Sequence, residues 1–246
     1  MPGKSSGLFC LYGRKPVLEA LRLGLVESLE VSERAHGRAL LDILREAESK
    51  HVRVSRMAEM PKEEGQTLQG VRAYARPPEL RTDLPAFVRT LPTSPPPLLL
   101  MLDGVTDPHN FGAILRSAVC AGAKAVIVRE RRQASVTDVV VKTSAGAAYL
   151  IPIFPVVNLA RTLRLLAEEG FWSVAAVADE DATPYREHSW NVPTVLIVGA
   201  EGAGVSDLLC RDADARVRIP MRGTLDSLNV SVAAGILLFA AAEGRV

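Results

Sequence analysis

Hydrophobic and polar positions along this chain switch between two periods. PLLLMLD, ending at Asp103, and TVLIVG, ending at Gly199, are unbroken apolar runs of strand length, the pattern of strands buried on both faces of a parallel sheet. AVIVRE, WSVAAVA and ARVRIP read as further strands. Helical spacing separates them. DPHNFGAILRSAVCAGA places Phe111, Ile114, Leu115, Ala118 and Val119 on one stripe and closes at Gly122. VNLARTLRLLAEEG is a helix with Asn158 as N-cap, and SLNVSVAAGILLFAAAEG is a final helix. VTDVVVKTSAGAA is expected to be helical and AYLIPI extended. Strands alternating with helices predict an α/β fold with a mostly parallel sheet.

The first part of the chain alternates on a smaller scale. RKPVLEALRLG reads as an amphipathic helix ending at Gly24, LEVSE as a short strand, and GRALLDILREAESK as a second helix with a Leu40, Leu41, Ile43 and Leu44 stripe. Strands VRVSR and VRAYA follow. Between Ala75 and Leu98, prolines at 77, 78, 85, 92, 95, 96 and 97 exclude long regular elements. Only TDLPAFVRTL could form a short helix there, capped by Thr82 or Asp83. The expected organisation is therefore a flexible tail (1–6), a small α/β domain (7–76), a proline-rich linker (77–97) and a larger parallel-sheet domain (98–246).

Composition narrows the function classes. The chain has 246 residues, 48% hydrophobic and 23% charged, ordinary values for a globular protein. No apolar run is long enough to span a bilayer, and the small, polar first residues lack the apolar core of a secretory signal. Cys10, Cys120 and Cys210 are far apart, with no C-x-x-C and no His/Cys cluster, so neither a disulfide framework nor a metal site is expected. The formal net charge is +1, so any nucleic-acid contact must come from local patches. Arg129, Arg131 and Arg132 after a strand are one candidate patch, with a solvated turn as the other reading.

Three loops carry candidate chemistry, each with a purely structural explanation beside it. VLIVGAEGAGVSDLL has G-x-x-G-x-G spacing, not the dinucleotide fingerprint, and a tight turn explains its glycines but not Glu201. In LDGVTDPHNFGAILRS, Asp107 to Asn110 make good helix-start chemistry, and Arg116 could simply snorkel to the surface. In IPMRGTLDSLNVSVAAG, Ser227, Asn229 and Ser231 interrupt an apolar run at every second position. An unpartnered buried amide or hydroxyl costs about 1–3 kcal/mol, and helix capping by Ser227 accounts for only one of the three. All three loops follow strands, at the end of an open α/β sheet where ligands bind.

Together LDGVTDPHNFGAILRSA, IVGAEGAGV and IPMRGTLDSLNVSVAAG resemble, in order and spacing, the three motifs of the SpoU (TrmH-like) RNA ribose 2′-O-methyltransferases, members of the SPOUT superfamily of knotted methyltransferases. The resemblance runs from Leu98 to the C-terminus. YGRKPVLEAL and its small α/β domain also look like the RNA-substrate-binding domain, of ribosomal-protein (kink-turn binder) fold, that precedes the catalytic domain in many members. The TDPHN and IPMxGxxxSLNVSVA forms look closest to the branch that methylates a guanosine in large-subunit (23S) ribosomal RNA. Phe111 stands where many relatives have Leu or Ile.

The resemblance implies a parallel-sheet domain with a deep trefoil knot, S-adenosylmethionine as cofactor, a homodimer formed through the knotted domain, ribosomal RNA as partner, and a cytoplasmic location without membrane or metal. Gly199, Ile219, Met221 and Leu228 then match the cofactor-pocket positions. Asn110, Arg116, Glu201, Ser227 and Asn229 match the polar active-site positions. A neutral arginine at pH 7 costs at least about 7 kcal/mol. Arg116 is therefore expected to anchor a substrate phosphate and stabilise developing alkoxide charge, with phosphate or water taking the proton. Glu201 is expected to orient Asn110 or Asn229. Other readings are a transfer-RNA ribose methyltransferase, an inert RNA-binding or ribosome-assembly factor on the same fold, and, as an outsider, a dehydrogenase.

Overall fold

A computed structural model describes residues 7–60, 69–131, 133–224, 227–243 and 245. The tail expected at 1–6 and the candidate Arg132 lie outside the described residues. The chain forms two compact units.

Unit one comprises residues up to Pro78 together with Val136–Leu150. Its sheet holds β1 (Phe9–Tyr12), β2 (Val26–Ser32), β3 (Arg53–Met57) and β4 (Val71–Ala75) in the order β1-β4-β2-β3. β4 runs antiparallel to both β1 and β2, while β2 and β3 are parallel. Helices α1 (Arg14–Arg22) and α2 (Arg38–Ser49) pack on each other; Val17, Leu21 and Ile43 on them and Leu29, Val31 and Val71 on the sheet are fully buried. β1 is too short to show an alternation of its own in the sequence.

The units are not cut where composition alone would cut them. VTDVVVKTSAGAA and the residues after it join the first unit: α3 (Asp138–Thr143) buries Val140 and Val141 completely and packs on β1. A Thr137 hydroxyl caps it by accepting from the Val140 N–H. Tyr149, expected in a strand, instead closes a 3₁₀ turn at Ala147–Tyr149, because Gly146 adopts a left-handed conformation (φ 90°) that reverses the chain there. Apolar periodicity identifies a helix but not which of two cores receives it.

Unit two comprises Glu79–Ser135 and Ile151–Val246. It therefore begins inside the proline-rich stretch. The short helix α4 (Leu84–Arg89) forms there, with Asp83 as the cap accepting from the Ala86 N–H at 3.1 Å. Leu84 and Val88 are buried in the main core of this unit, and the Arg81 guanidinium stacks over the Phe87 and Phe154 rings. The seven strands are β5 (Leu98–Asp103), β6 (Ala125–Arg129), β7 (Ile153–Val156), β8 (Trp172–Ala176), β9 (Thr183–Pro184), β10 (Thr194–Gly199) and β11 (Ala215–Arg218). Every pairing is parallel, in the order β7-β6-β5-β10-β8-β11-β9. Chain neighbours β7 and β8 thus lie far apart in the sheet, and β10 inserts between β5 and β8. β5 and β10 are buried along their whole length, as their apolar runs predict.

The other helices of unit two among the described residues are α5 (Pro108–Cys120), α6 (Leu159–Glu168), α7 (Asp207–Asp212) and α8 (Val230–Glu243). Asp107 caps α5 by accepting from the His109 and Asn110 N–H groups, and Asn158 caps α6 through the Arg161 N–H. α8 is apolar on every side and packs on α5 and β10, yet leaves Val232 and Phe239 exposed.

Candidate active site

Register places the site. β5 and β10 end level with each other, Gly199 opposite Asp103, so the loops after them start at one edge of the sheet. β8 and β11 end on the same side. A cavity of about 240 Å³ opens there, floored by Ala176, Val198 and Val217. One wall is the loop 199–204 and the other is formed by Ile219, Met221, Ser227 and Leu228. All four residues expected at the cofactor, Gly199, Ile219, Met221 and Leu228, line it, as do Glu201 and Ser227.

The first wall is set by its backbone. Ala200 and Gly204 exchange N–H···O bonds of 3.1 and 2.9 Å, folding residues 200–204 into a closed turn. Gly202 and Gly204 take positive φ there. A Cβ on Gly199 would lie 1.9 Å from the Gly204 carbonyl carbon, so this strand end admits only glycine. The G-x-x-G-x-G spacing is accounted for by that turn.

Beneath the turn sits a residue that the sequence reading did not single out. Asp103, 6% exposed, accepts the Ser206 N–H on one carboxylate oxygen at 2.9 Å. Its other oxygen accepts Nε and Nη2 of Arg129, both at 2.8 Å. Burial is the largest single influence on its pKa and pushes it up. The Ser206 hydroxyl and N–H and the Arg129 guanidinium together outweigh burial, so the carboxyl titrates below its ordinary value. Arg129 is thus committed to Asp103 and is not a free member of a phosphate patch; Arg131 remains exposed. The available signal for Asp103 was a carboxylate closing an otherwise apolar strand.

At the cavity rim three side chains meet. Asn229 Nδ2 donates to Asn110 Oδ1 at 3.0 Å and to Glu201 Oε1 at 3.5 Å. Asn110 Nδ2 donates to Glu201 Oε2 at 3.4 Å. Asn229 Oδ1 accepts the N–H and hydroxyl of Ser231 at 2.9 and 2.6 Å, which makes Asn229, not Ser227, the cap of α8. Ser231 is thereby structural. With Asn229 saturated, Asn110 keeps one N–H undirected. Ser227 is exposed on the second wall.

Arg116 stands apart from this trio. It lies six residues along α5 from Asn110, about 9 Å along the axis and a third of a turn round. It is exposed, and its guanidinium has no hydrogen-bond or ion-pair partner among the described residues. The structure brings Asn110, Glu201 and Asn229 into contact and leaves Arg116 and Ser227 outside their hydrogen bonds. No cluster of His, Cys, Asp and Glu suited to a metal occurs among the described residues, and no described helix is long and apolar enough to cross a membrane.

A parallel sheet with a glycine turn and a cleft at its carboxyl edge defines an α/β ligand-binding enzyme domain, and solved structures of the same fold narrow the class to methyltransferases. An RNA 2′-O ribose methyltransferase superposes with a TM-score of 0.80 at 28% identity, covering 98% of this chain and 90% of its own. The SpoU methyltransferase AviRb from Streptomyces viridochromogenes, solved with AdoMet, gives 0.76 at 25% identity, covering 99% and 94%. The chain itself belongs to the SpoU rRNA methylase family, whose model matches residues 97–239. It is 45% identical over 177 residues to the 23S rRNA (guanosine-2′-O-)-methyltransferase RlmB of Pseudomonas putida, covering 72% of this chain and 71% of that protein. It is 44% identical over 186 residues to RlmB of Escherichia coli K12, covering 75% of each.

Proposed function

We propose that this chain is an S-adenosylmethionine-dependent ribose 2′-O-methyltransferase acting on a guanosine of 23S ribosomal RNA. The observation that carries this reading is the meeting of Asn110, Glu201 and Asn229 at the lip of a cavity walled by Gly199, Ile219, Met221 and Leu228. The cavity suits the cofactor chemically. Met221 and Leu228 hold apolar side chains 39% and 36% exposed over it, surface that an adenine ring would cover, and the 199–204 turn presents backbone groups to polar edges. The bound sulfonium supplies an activated methyl group for in-line transfer.

The chain's own residues must position the ribose and help remove its proton. Glu201 holds both carboxamides, and the remaining Asn110 N–H is directed at the substrate. Arg116, unpaired and exposed, takes a phosphate of the RNA and stabilises negative charge growing on the 2′-oxygen, while phosphate or water accepts the proton. Ser227, on the wall between cofactor and solvent, offers a hydroxyl to the ribose. Gly199, Ile219, Met221 and Leu228 hold the cofactor.

The same reading includes a trefoil knot in unit two and a ribosomal-protein-like RNA-binding fold for unit one. It includes a homodimer through unit two, supported by the apolar exposed face of α8 at Val232 and Phe239. A cytoplasmic location accords with three free cysteines.

The test is methyl transfer from labelled S-adenosylmethionine to 23S rRNA and transfer RNA transcripts, with ribose methylation mapped by alkaline-resistance sequencing. One protected guanosine in 23S rRNA is expected. Label in transfer RNA alone would transfer the reading to that substrate, and label in neither would refute it. Arg116→Lys is expected to lower kcat about a hundredfold, since an ammonium lacks the bidentate fork. Near-normal turnover in that variant would remove the phosphate-anchor role.

A further inference from the structure

Methyl transfer to a ribose releases the proton of the 2′-hydroxyl. A phosphodiester or a water that receives it first must pass it on, and the most effective recipient is a group that titrates near the operating pH. The carboxylates on the two described loops flanking Asn110 are engaged already. Glu201 holds two carboxamides, and Asp107 accepts the His109 and Asn110 N–H groups. Asp103 is buried against Arg129 and Ser206.

An imidazole stands beside them. His109 is the second residue of α5 and directly precedes Asn110. It is exposed, and its ring has no hydrogen-bond or ion-pair partner among the described residues. Of the other three histidines, His36 and His51 belong to unit one, and His188 packs edge-on against the Trp190 ring at 4.7 Å. His109 is thus the one imidazole on the elements that carry Asn110, Glu201 and Asn229.

Helix geometry sets His109 on the same ridge as Arg116. Seven residues separate them by about 10 Å along the axis and only about 20° round it. The exposed positions of α5 follow this line, His109, Arg116 and Cys120, while Phe111, Ile114, Leu115 and Ala118 are buried behind it. Long helical side chains slant toward the N-terminus, which brings a phosphate taken by Arg116 toward His109.

We infer that His109 is the general base of the transfer, acting through one water, an inference that rests on the proposed ribose methylation. As the S–CH3 bond breaks and the O–CH3 bond forms, the 2′-hydroxyl proton passes to the water and the water's proton to the imidazole. The positive charge lost at sulfur reappears as imidazolium, which returns its proton to solvent after the product leaves. The role suits an imidazole, whose charge ordinarily changes between pH 5 and 8. The charged groups around it are Asp107 just ahead, Arg116 on its ridge and Glu201 beyond the Asn110 amide. On α8, which packs against α5, the one charged residue is Glu243 at the C-terminal end.

The experiment follows single-turnover methylation of a 23S rRNA transcript by the full chain as a function of pH. Wild type is expected to lose rate in acid through an inflection between pH 5 and 8. His109→Gln should lack that inflection and lose about a hundredfold in rate at neutral pH. Its S-adenosylmethionine affinity, RNA affinity and thermal midpoint should not move. Rate in His109→Ala should return when imidazole is added, following the neutral form, as no structural histidine would allow. In NMR spectra of histidine-labelled protein, the ring signal missing from His109→Gln should shift when the transcript is added to wild type. An unchanged rate in His109→Gln, an inflection that survives in it, or a ring signal unmoved by RNA would overturn the inference while leaving the proposed function in place. Wild-type protein that methylates no RNA would overturn the proposed function and this inference with it.

Discussion

The two walls of the cavity at the carboxyl edge of the large sheet are built on opposite principles. The 199–204 wall is almost entirely backbone. Its shape follows from a carbonyl–amide exchange between Ala200 and Gly204, a strand end with no room for a side chain, and a buried carboxylate pinning Ser206. The wall of Ile219, Met221, Ser227 and Leu228 meets the cavity with side chains, and two of its apolar groups, Met221 and Leu228, stand in solvent. The comparison separates two costs of binding. The first wall needs no ordering when a ligand arrives, whereas the second gains its burial only from the ligand. Substitutions on the first wall should therefore damage the fold, and those on the second should damage affinity.

Gly199→Ala tests the first half most severely. Its Cβ meets backbone that cannot rotate away, so a stability loss of about 3 kcal/mol is expected, together with loss of S-adenosylmethionine binding. Denaturant unfolding and titration calorimetry would show both; a stable variant that binds normally would break the comparison.

Asp103→Asn comes next, at about 1–3 kcal/mol, because an ionised acceptor is replaced and Arg129 loses its partner. The pH dependence has a fixed sign. The folded-state pKa is depressed, so the stabilisation is fully present above the ordinary aspartate value and is lost as pH falls through the lowered one. The stability gap between wild type and variant, followed by urea unfolding across the acid range, should persist at neutral pH and close in acid. A gap that widened on acidification would contradict the clamp.

Asn229→Ala should cost about 1 kcal/mol through the lost helix cap. It also unhooks Asn110 and Glu201, so turnover should fall further than cofactor affinity. Equal losses in both would mean that the trio is only structural.

Leu228→Ala should move stability least, by under about 0.5 kcal/mol, as expected for an exposed side chain. It should nevertheless weaken S-adenosylmethionine binding about fivefold, since about 1 kcal/mol of apolar burial is forfeited on binding. A stability loss without an affinity loss would reverse the roles of the walls.

Much of this arrangement was legible in the chain because its causes are local. The apolar runs of β5 and β10, the Asn158 and Asp107 caps and the Asp83 cap each depend on residues within four positions. The pocket residues were legible through three motifs read jointly. What escaped depends on distance. The partners Asp103 and Ser206 are separated by 103 positions, and no periodicity couples them. Assignment of α3 to the first unit rests on tertiary packing, which local pattern cannot encode. Ser227 and Asn229 are both good capping types two residues apart, and only the backbone of α8 decides between them.

That long separation also sets an order of events on the ribosome. Asp103 leaves the exit tunnel about a hundred residues before the amide it must hold, so β5 can pair with β6 while its terminal carboxylate still faces water. β10 then enters between strands made earlier, and only after it do the turn, Ser206 and the second wall follow. The cleft is thus completed last, and a nascent chain shortened before Ser206 would lack the clamp on Asp103, β11, the second wall and the α8 face that packs on α5 and β10.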